Sequence, residues 1–152
     1  MEIRFRLYWL ESRRLNSKSF KFDGARSLFN EYVSRISNFA PCQISSAISQ
    51  DETKRAGTKI WVCDKGADAK ELSSEKLAEI LEKLRDSGTR ELHIAIGSAD
   101  GFSKMELDEL KPDLRWSFGP MTLPHELAAV VSSEQIYRAF TIIRKLPYHS
   151  GH

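Results

Sequence analysis

Leu92-His93-Ile94-Ala95-Ile96, followed by Gly97-Ser98-Ala99-Asp100-Gly101, is the stretch that decides the fold class. Its first five residues form a nearly continuous apolar run, which is typical of a strand buried in a parallel sheet. The glycines after it predict a loop whose backbone a ligand can approach closely. Lys59-Ile60-Trp61-Val62-Cys63 repeats the arrangement and runs into Asp64-Lys65-Gly66, a turn signal. Buried strands that end in such loops indicate an α/β fold.

The elements on either side follow from the spacing of apolar residues. Alternation predicts strands at residues 3–9, 42–48 and 114–118, the second of them weakly. Helical spacing predicts helices at residues 28–36, from Ser73 or Ser74 to Gly88, from Ser103 to before Pro112, and from Pro124 to before Pro147. The polar residues 49–57 predict a loop. The order βαββαβαβα, without an internal repeat, predicts a single domain over residues 1–152 with a mostly parallel sheet flanked by helices.

Composition and charge exclude several classes of protein. The 152 residues are 41% hydrophobic and 29% charged, which excludes a long disordered tail, a collagen-like repeat and a disulfide scaffold. A formal net charge of +2 excludes a protein that coats nucleic acid by charge alone. The charge is uneven, because residues 1–60 carry 11 basic and 6 acidic side chains. This surplus predicts either a solvated face or a surface that meets phosphates.

The charged residues that interrupt the apolar runs, together with the pattern of cysteines, predict the cellular compartment. No run approaches the length of a membrane span, and Glu2, Arg4 and Arg6 break the N-terminal apolar run of a would-be signal peptide. Cys42 and Cys63 form no Cys-x-x-Cys pair and have no histidine nearby. We therefore expect a cytoplasmic protein without membrane attachment, with reduced, buried thiols and no metal site.

Three loops leave the carboxyl ends of predicted strands, at residues 63–66, 97–101 and 118–124. Ligands of α/β sheets bind beyond these strand ends, so the loops predict a small-molecule site. Residues 96–101 lack both the Gly-x-Gly-x-x-Gly order and the Gly-Lys-Ser/Thr ending, so neither common nucleotide motif is present. A tight turn into the following capped helix is the alternative interpretation of that segment.

Four side chains near the C-terminus are candidates for chemistry. His125, at a helix start, is either a group of tunable pKa or a residue that packs against its own loop. Arg138 either contacts phosphate or pairs with Glu134 one turn earlier. Tyr148 and His149 lie in a six-residue tail that would ordinarily fray, yet such a pair can stack on a base and bind its edge.

Four segments together resemble one family, the bacterial ribosomal RNA large subunit methyltransferase H proteins, which are small SPOUT-class enzymes. Its patterns are Ile-Gly-Gly-x-x-Gly, Leu-Thr-Leu-Pro-His, Tyr-Arg-Ala and Pro-Tyr-His. The matching segments are Ile96-Gly97-Ser98-Ala99-Asp100-Gly101, Met121-Thr122-Leu123-Pro124-His125, Tyr137-Arg138-Ala139-Phe140 and Pro147-Tyr148-His149. The resemblance implies an α/β fold with a C-terminal trefoil knot, a homodimer and S-adenosylmethionine as cofactor. It also implies methylation of N3 of a pseudouridine in helix 69 of 23S rRNA on the assembled ribosome.

The resemblance also implies a set of site residues. Those for the cofactor are Cys63, Gly97, Ser98, Gly101 and the knot loop of Gly119, Pro120, Met121, Thr122, Leu123 and Pro124. His125, Arg138, Tyr148 and His149 fall on positions associated with RNA binding and reaction. There His149 or His125 would accept the N3 proton, Arg138 would stabilise negative charge or bind phosphate, and Tyr148 would stack on the uracil ring. Because the tail is short, a dimer in which one tail completes the other subunit's site is expected.

The sequence departs from the family pattern at several places. Ser98 stands where the family has a glycine, Ala99-Asp100 replaces Pro-Glu, and Cys63 replaces a leucine. The turn after Asp64 is longer than in the family. These departures leave two alternatives, a catalytically silent SPOUT-fold protein that binds RNA or ribosomes, and a related methyltransferase that acts on another RNA.

Overall fold

The computed structural model describes residues 1–11 and 19–150. The strands of this part are β1 (Glu2–Leu7), β2 (Cys42–Ser45), β3 (Thr58–Cys63), β4 (Lys70–Glu71), β5 (Glu91–Ile96) and β6 (Leu114–Ser117). The helices are α1 (Asp23–Ile36), α2 (Gln50–Thr53), α3 (Ser74–Asp86), α4 (Lys104–Leu110) and α5 (His125–Ile143). The strands form one sheet in the order β2-β1-β5-β3-β6-β4, and every neighbouring pair is parallel. This confirms the α/β class with a parallel sheet flanked by helices.

Two short elements lie in segments for which the sequence predicts neither a helix nor a strand. In α2, the Ser49 hydroxyl accepts a hydrogen bond from the Glu52 N–H, and the Glu52 carboxylate accepts one from the Ser49 N–H. β4 is a strand because it pairs with β6, with Lys70 opposite Trp116. Elements of two and four residues are too short to show a hydrophobic period, so capping and tertiary pairing alone define them.

Alternating side chains place two cores on opposite faces of the sheet. Trp61 contributes to the larger core, which lies under α1, α3 and α5, whereas its neighbours Ile60 and Val62 join Leu110 of α4 in a smaller core. Because both faces are covered, the central strands are apolar on both sides. Removing each large side chain from water contributes about 1.5–3 kcal/mol.

Arg6 lies on the face of β1 where the alternating pattern would place a solvated polar residue, but it is 4% exposed. Its guanidinium donates to the carbonyl oxygens of Ser46 and Ala47 at 2.6 and 2.7 Å, and to both Glu52 carboxylate oxygens at 2.6 and 2.9 Å. The buried His93 ring lies 3.3 Å from the same group. The hydrogen bond from Arg6 lowers the pKa of Glu52 to about 2, and burial lowers the pKa of His93. Arg6 therefore ties residues 46–52 to the sheet.

The basic surplus of residues 1–60 is largely engaged within the molecule. Arg13, Arg14 and Lys18 lie outside the described residues. Of the others, those that form ion pairs with carboxylates are Arg4, Arg6, Arg26, Arg35, Arg55 and Lys59. The described part of this segment is therefore mostly a charge-paired surface, and the predicted phosphate-facing surface stays a prediction.

The order of the strands positions the predicted loops. β5, β3 and β6 are neighbours and run in parallel, so the segments that follow them leave the same edge of the sheet. α5 begins directly after the last of these segments, and its 19 residues extend about 28 Å away from it. Lys145, with φ of 56°, adopts the left-handed conformation that ends the helix and turns the tail back.

Candidate functional site

The loops after β3, β5 and β6 surround a pocket of about 310 Å³, which is the size of a small-molecule site. Nine of the predicted site residues line it, namely Cys63, Gly97, Ser98, Gly101, Gly119, Met121, Thr122, Leu123 and His125. Pro120 and Pro124 belong to the same loop but do not line the pocket. The Pro124 carbonyl oxygen instead accepts the Ala128 N–H in the first turn of α5. The strand-end prediction thus locates the pocket correctly.

The loop after β5 is both a tight turn and a wall of the pocket. The Gly101 N–H donates to the Ser98 carbonyl oxygen at 2.8 Å, and Gly101 has a φ of +75°. A Cβ on the buried Gly97 would lie 2.9 Å from the Gly101 carbonyl carbon, so this position requires glycine. The hydroxyl of Ser103 then caps α4 by accepting the Glu106 N–H. The interpretation of the segment as a tight turn into a capped helix is therefore correct, and the same turn lines the pocket, which Ser98 faces.

The loop after β6 is shaped by a small local network. The Gly119 N–H donates to the Ser117 hydroxyl at 3.1 Å, and that hydroxyl lies 3.2 Å from the Gly119 carbonyl oxygen. Gly119 has a φ of +104°, a conformation that side chains disfavour. Phe118 packs edge-on against Trp116, with ring centroids 4.9 Å apart. The loop therefore presents its backbone, together with Leu123 and the exposed Met121, towards the pocket.

The charged side chains of the pocket lie at its rim. The Asp64 carboxylate accepts from Arg115, with Nε 2.9 Å from Oδ2, so this charge is paired. Lys65 reaches across to the Thr122 hydroxyl on the facing loop. Asp100 is exposed at the end of the loop after β5.

The two cysteines are free thiols, and their surroundings keep them protonated. Burial raises the pKa of the Cys63 thiol, with a smaller contribution from Asp64, and burial raises the pKa of Cys42 to about 12. Because the thiolate is the nucleophilic form, neither residue is suited to nucleophilic chemistry at neutral pH. Cys63 contributes shape to the pocket.

His125 lies at the pocket and contacts an aromatic residue outside its own loop. Its ring lines the pocket and packs edge-on against Trp9, with centroids 4.5 Å apart. Its Nε2 lies 3.8 Å from the carboxylate of Glu126, which is 2% exposed. That carboxylate accepts the backbone N–H groups of Lys21 and Phe22 at 3.1 Å and so joins the start of α1 to the start of α5. Sequence reasoning missed Glu126, whose one signal is an acidic residue in a helical first turn.

Arg138 and Tyr148 form a second cluster, on the far half of α5. Arg138 donates to one oxygen of Glu134 from Nε and Nη2, at 3.0 and 2.6 Å. The Tyr148 hydroxyl donates to the same oxygen at 3.0 Å, and the Arg138 guanidinium lies 4.9 Å from the centre of the Tyr148 ring. The hydrogen bond to Glu134 raises the pKa of Arg138, and burial raises the pKa of Tyr148. The predicted Arg138–Glu134 pair is present, and the tail packs against the helix up to His149.

The contacts of His149 define its tautomer. Its Nδ1 lies 3.1 Å from Nη1 of Arg138, and its Nε2 lies 2.7 Å from a carboxylate oxygen of Glu75. A guanidinium only donates and a carboxylate accepts, so Nδ1 accepts and Nε2 carries the proton. The hydrogen bond from His149 lowers the pKa of Glu75. In this arrangement Arg138 occupies the basic nitrogen of His149.

The structure does not bring the four predicted chemical residues together. His125 lines the pocket, whereas Arg138, Tyr148 and His149 do not. Arg138 follows His125 on α5 by 13 residues, which corresponds to about 20 Å along the helix axis. The chain therefore carries two separate groups of candidate residues, the pocket and the cluster of Arg138, Tyr148 and His149 with Glu134, which we call the tail cluster.

Two other kinds of feature, a metal site and a membrane-spanning helix, are absent from residues 1–11 and 19–150. These residues contain no group of three or more histidine, cysteine or acidic side chains arranged to hold a metal ion. No helix in this part of the chain is both long and apolar enough to cross a membrane.

Comparison with known proteins identifies the family. Residues 18–149 match the family described as "Predicted SPOUT methyltransferase". The chain is 37% identical over 139 residues to the ribosomal RNA large subunit methyltransferase H of Koribacter versatilis, covering 87% of this chain and 92% of that protein. It is 39% identical over 136 residues to the protein of that name from Deinococcus radiodurans, covering 84% and 90%.

Among solved structures, one of a Legionella pneumophila protein described as a methyltransferase, with bound S-adenosylmethionine, aligns with 91% of this chain. It has a TM-score of 0.47 and 14% identity, and the aligned part spans 66% of that chain. The family match and the two curated relatives each cover most of the present sequence. The chain therefore belongs to the SPOUT methyltransferases and, within them, to the ribosomal RNA large subunit methyltransferase H family.

Proposed function

We propose that the protein is an S-adenosylmethionine-dependent methyltransferase that modifies N3 of a pseudouridine in helix 69 of 23S rRNA on the assembled ribosome. The observation that carries this proposal is the pocket at the ends of β3, β5 and β6, which eight of the ten residues implied for the cofactor line together. Family membership and the names of the curated relatives support the reaction and the class of RNA. A ribosomal substrate also makes the cytoplasm the proposed location.

The residues present fit the cofactor. Gly119 leaves open space beside its backbone, as close approach of an adenosine requires, and Leu123 with Phe118 supplies apolar surface. When bound, S-adenosylmethionine supplies an electrophilic methyl group on a sulfonium. The pocket residues would hold and orient this group, which is the main contribution that a protein makes to such a transfer. The segment Gly119–Pro124 is proposed to form part of the trefoil knot.

The tail cluster is proposed to hold the RNA base. Tyr148 would stack on the uracil ring, and Arg138 would stabilise negative charge as N3 loses its proton. For His149 to accept that proton at Nδ1, its contact with Arg138 must first open. Arg138 would then be available to the base while Glu75 keeps the other side of the ring oriented. His125, inside the pocket, is the alternative proton acceptor.

The distance between the two groups supports a homodimer. The tail cluster lies about 20 Å along α5 from His125, so the tail of one chain is remote from its own pocket. In the proposed dimer the tail cluster of one subunit meets the pocket of the other, and each site is complete only in the assembly. This arrangement gives a physical reason for a chain of 152 residues to act on a ribosomal substrate as a pair.

The proposal is tested by two measurements on the full chain. Calorimetric titration with S-adenosylmethionine should show saturable binding, and no binding at millimolar cofactor would favour the catalytically silent alternative. The protein is then incubated with labelled cofactor and assembled ribosomes, large subunits or naked 23S rRNA lacking this modification, and the product nucleoside is identified by mass spectrometry. We expect N3-methylpseudouridine from assembled ribosomes. Methylation of a different RNA or nucleoside would overturn the proposed substrate.

A further inference from the structure

Lys65 stands at the rim of the pocket, in the loop after β3. It follows Asp64 in the turn after β3, and its side chain is exposed. Its Nζ contacts the Thr122 hydroxyl, so the ammonium group spans from the loop after β3 to the loop after β6. Lys65 is therefore positioned over the entrance rather than directed into bulk solvent.

Among the described residues, no carboxylate forms an ion pair with the Lys65 ammonium group. Asp64, its neighbour, is bound by Arg115, which also contacts Asp68. The backbone N–H of Lys65 donates to Asp64, whereas its ammonium group donates to a neutral hydroxyl, that of Thr122. The Lys65 ammonium is thus available on its side of the entrance, opposite in sign to Asp100 on the loop after β5, and an anionic group of a ligand there would gain a charge-assisted hydrogen bond.

The pocket also changes in polarity from its interior to its rim. Ile96 is 1% exposed, and Phe118, Leu123 and Ala128 are half-buried, so the inner lining is apolar. The rim residues Lys65, Asp100 and Thr122 are exposed and polar. A ligand that suits this gradient has one flat, weakly polar end and one charged end that carries a carboxylate. S-adenosylmethionine has this division between its adenosine and its amino-acid end.

We propose that Lys65 is a specificity-determining residue that binds the carboxylate at the amino-acid end of S-adenosylmethionine. This inference rests on the proposed function, since it assigns one residue to one group of the proposed cofactor. On binding, the ammonium exchanges its contact with the Thr122 hydroxyl for the carboxylate. The cofactor is thereby distinguished from adenosine compounds that lack this group.

The test measures the binding of two ligands by calorimetry, S-adenosylmethionine and decarboxylated S-adenosylmethionine, which keeps the sulfonium and the amine. The variants are Lys65→Met, which removes the charge at similar length, and Lys65→Arg, which keeps it. Lys70→Met is the matched control, because Lys70 is an exposed lysine on β4 that does not line the pocket. Lys65→Met should weaken S-adenosylmethionine binding about five- to tenfold and leave the decarboxylated ligand unchanged. Lys65→Arg should retain most of the affinity, and Lys70→Met all of it.

Each other outcome has a definite meaning. Equal loss for both ligands would overturn carboxylate recognition and leave Lys65 as a link between two loops. Unchanged cofactor binding with weaker ribosome binding would overturn it in favour of a contact to rRNA phosphate. If the unaltered protein binds neither ligand at millimolar concentration, the proposed function itself fails, which is a result distinct from failure of the Lys65 assignment.

Discussion

The pocket and the tail cluster are built from different materials. The pocket consists mainly of backbone, small residues and apolar side chains on three loops, with Gly97 packed directly against Gly101. The tail cluster consists of long polar side chains on α5 and the tail, whose hydrogen bonds converge on Glu134. Shape defines the first region and directed hydrogen bonds define the second. An added atom should therefore damage the pocket, whereas a removed atom should damage the tail cluster.

The largest expected effect is a loss of catalysis without a loss of cofactor binding, on changing the tail cluster. Arg138→Ala removes the cation that contacts Glu134, His149 and the Tyr148 ring. Its catalytic constant on ribosomes should fall about 100- to 1,000-fold, as for loss of one group that stabilises charge in a transition state. The dissociation constant for S-adenosylmethionine should stay unchanged.

Single-turnover methylation and calorimetry measure the two quantities for Arg138→Ala. His149→Ala should behave similarly if His149 accepts the proton. Arg85→Ala, at an exposed arginine near the end of α3, is the control. Wild-type activity in both Arg138→Ala and His149→Ala would refute the assignment of the tail cluster to the reaction.

The next effect tests whether the pocket is sensitive to added volume. In Gly97→Ala the new Cβ meets the Gly101 backbone at 2.9–3.2 Å, so the turn must open. Cofactor affinity should fall at least about tenfold, and the free energy of unfolding should fall by about 1–3 kcal/mol. Calorimetry and urea denaturation measure these changes. Gly24→Ala is the control, because a Cβ there meets nothing within 4 Å and should preserve both quantities.

A smaller effect tests whether Glu134 positions the tail cluster. Glu134→Gln keeps the shape but removes the charge that Arg138 and Tyr148 share. The catalytic constant should fall about tenfold with cofactor affinity unchanged, because both side chains lose a fixed orientation. Glu79→Gln on α3, which also accepts from two cations, should leave catalysis unchanged.

The pH profile of the catalytic constant distinguishes a positioning role of Glu134 from a purely structural one. Loss of orientation around Arg138 should shift the pH dependence of the catalytic constant as well as lower it. A drop in stability without a change in the pH profile of the catalytic constant would mean that Glu134 has a structural role only.

The smallest effect on activity is expected outside both regions. Arg6 lowers the pKa of Glu52 to about 2, so the ionised pair stabilises the fold above pH 4.5 and is lost as the pH falls towards 2. Glu52→Gln should lower the free energy of unfolding at pH 7 by about 1–3 kcal/mol and reduce the further loss on acidification. Urea denaturation at pH 7 and pH 3 checks this, with cofactor affinity at pH 7 unchanged. An identical pH dependence in both proteins would contradict the role of the pair.

Much of the fold was predictable because strands and helices longer than one turn carry a periodic pattern. The order of the nine predicted elements agrees with the structure, and the additions are the short α2 and β4. The predicted ends of the elements were less accurate. The strand predicted to reach residue 9 ends at Leu7, and Trp9 lies beyond it, with its ring against His125. Alternation along β1 gave no sign that Arg6 is buried, which it is because a second layer covers that face. A hydrophobic period depends on the neighbours of a residue along the chain and does not show which other segment packs over its side chain.

The candidate site, like the fold, was only partly predictable from the sequence. Glycine spacing and strand ends were sufficient to predict that residues 63–66, 97–101 and 118–124 meet, because parallel neighbours must end at one edge. The sequence could not separate the pocket from the tail cluster, since the resemblance assigned both to one reaction. That separation follows from the 19-residue length of α5, a rigid helix that sets the distance between its two ends.

The sequence by itself determined nine of the strands and helices and the loops that line the pocket, because local hydrogen bonding and the hydrophobic period depend on residues adjacent in the chain. Only the tertiary structure decided the strand order, the burial of Arg6 and Glu126, the hydrogen-bond partners of His149 and the contact of Lys65 with Thr122. Each of these depends on residues distant in the chain, where packing and the pairing of buried charges select one arrangement among many that the same local pattern allows.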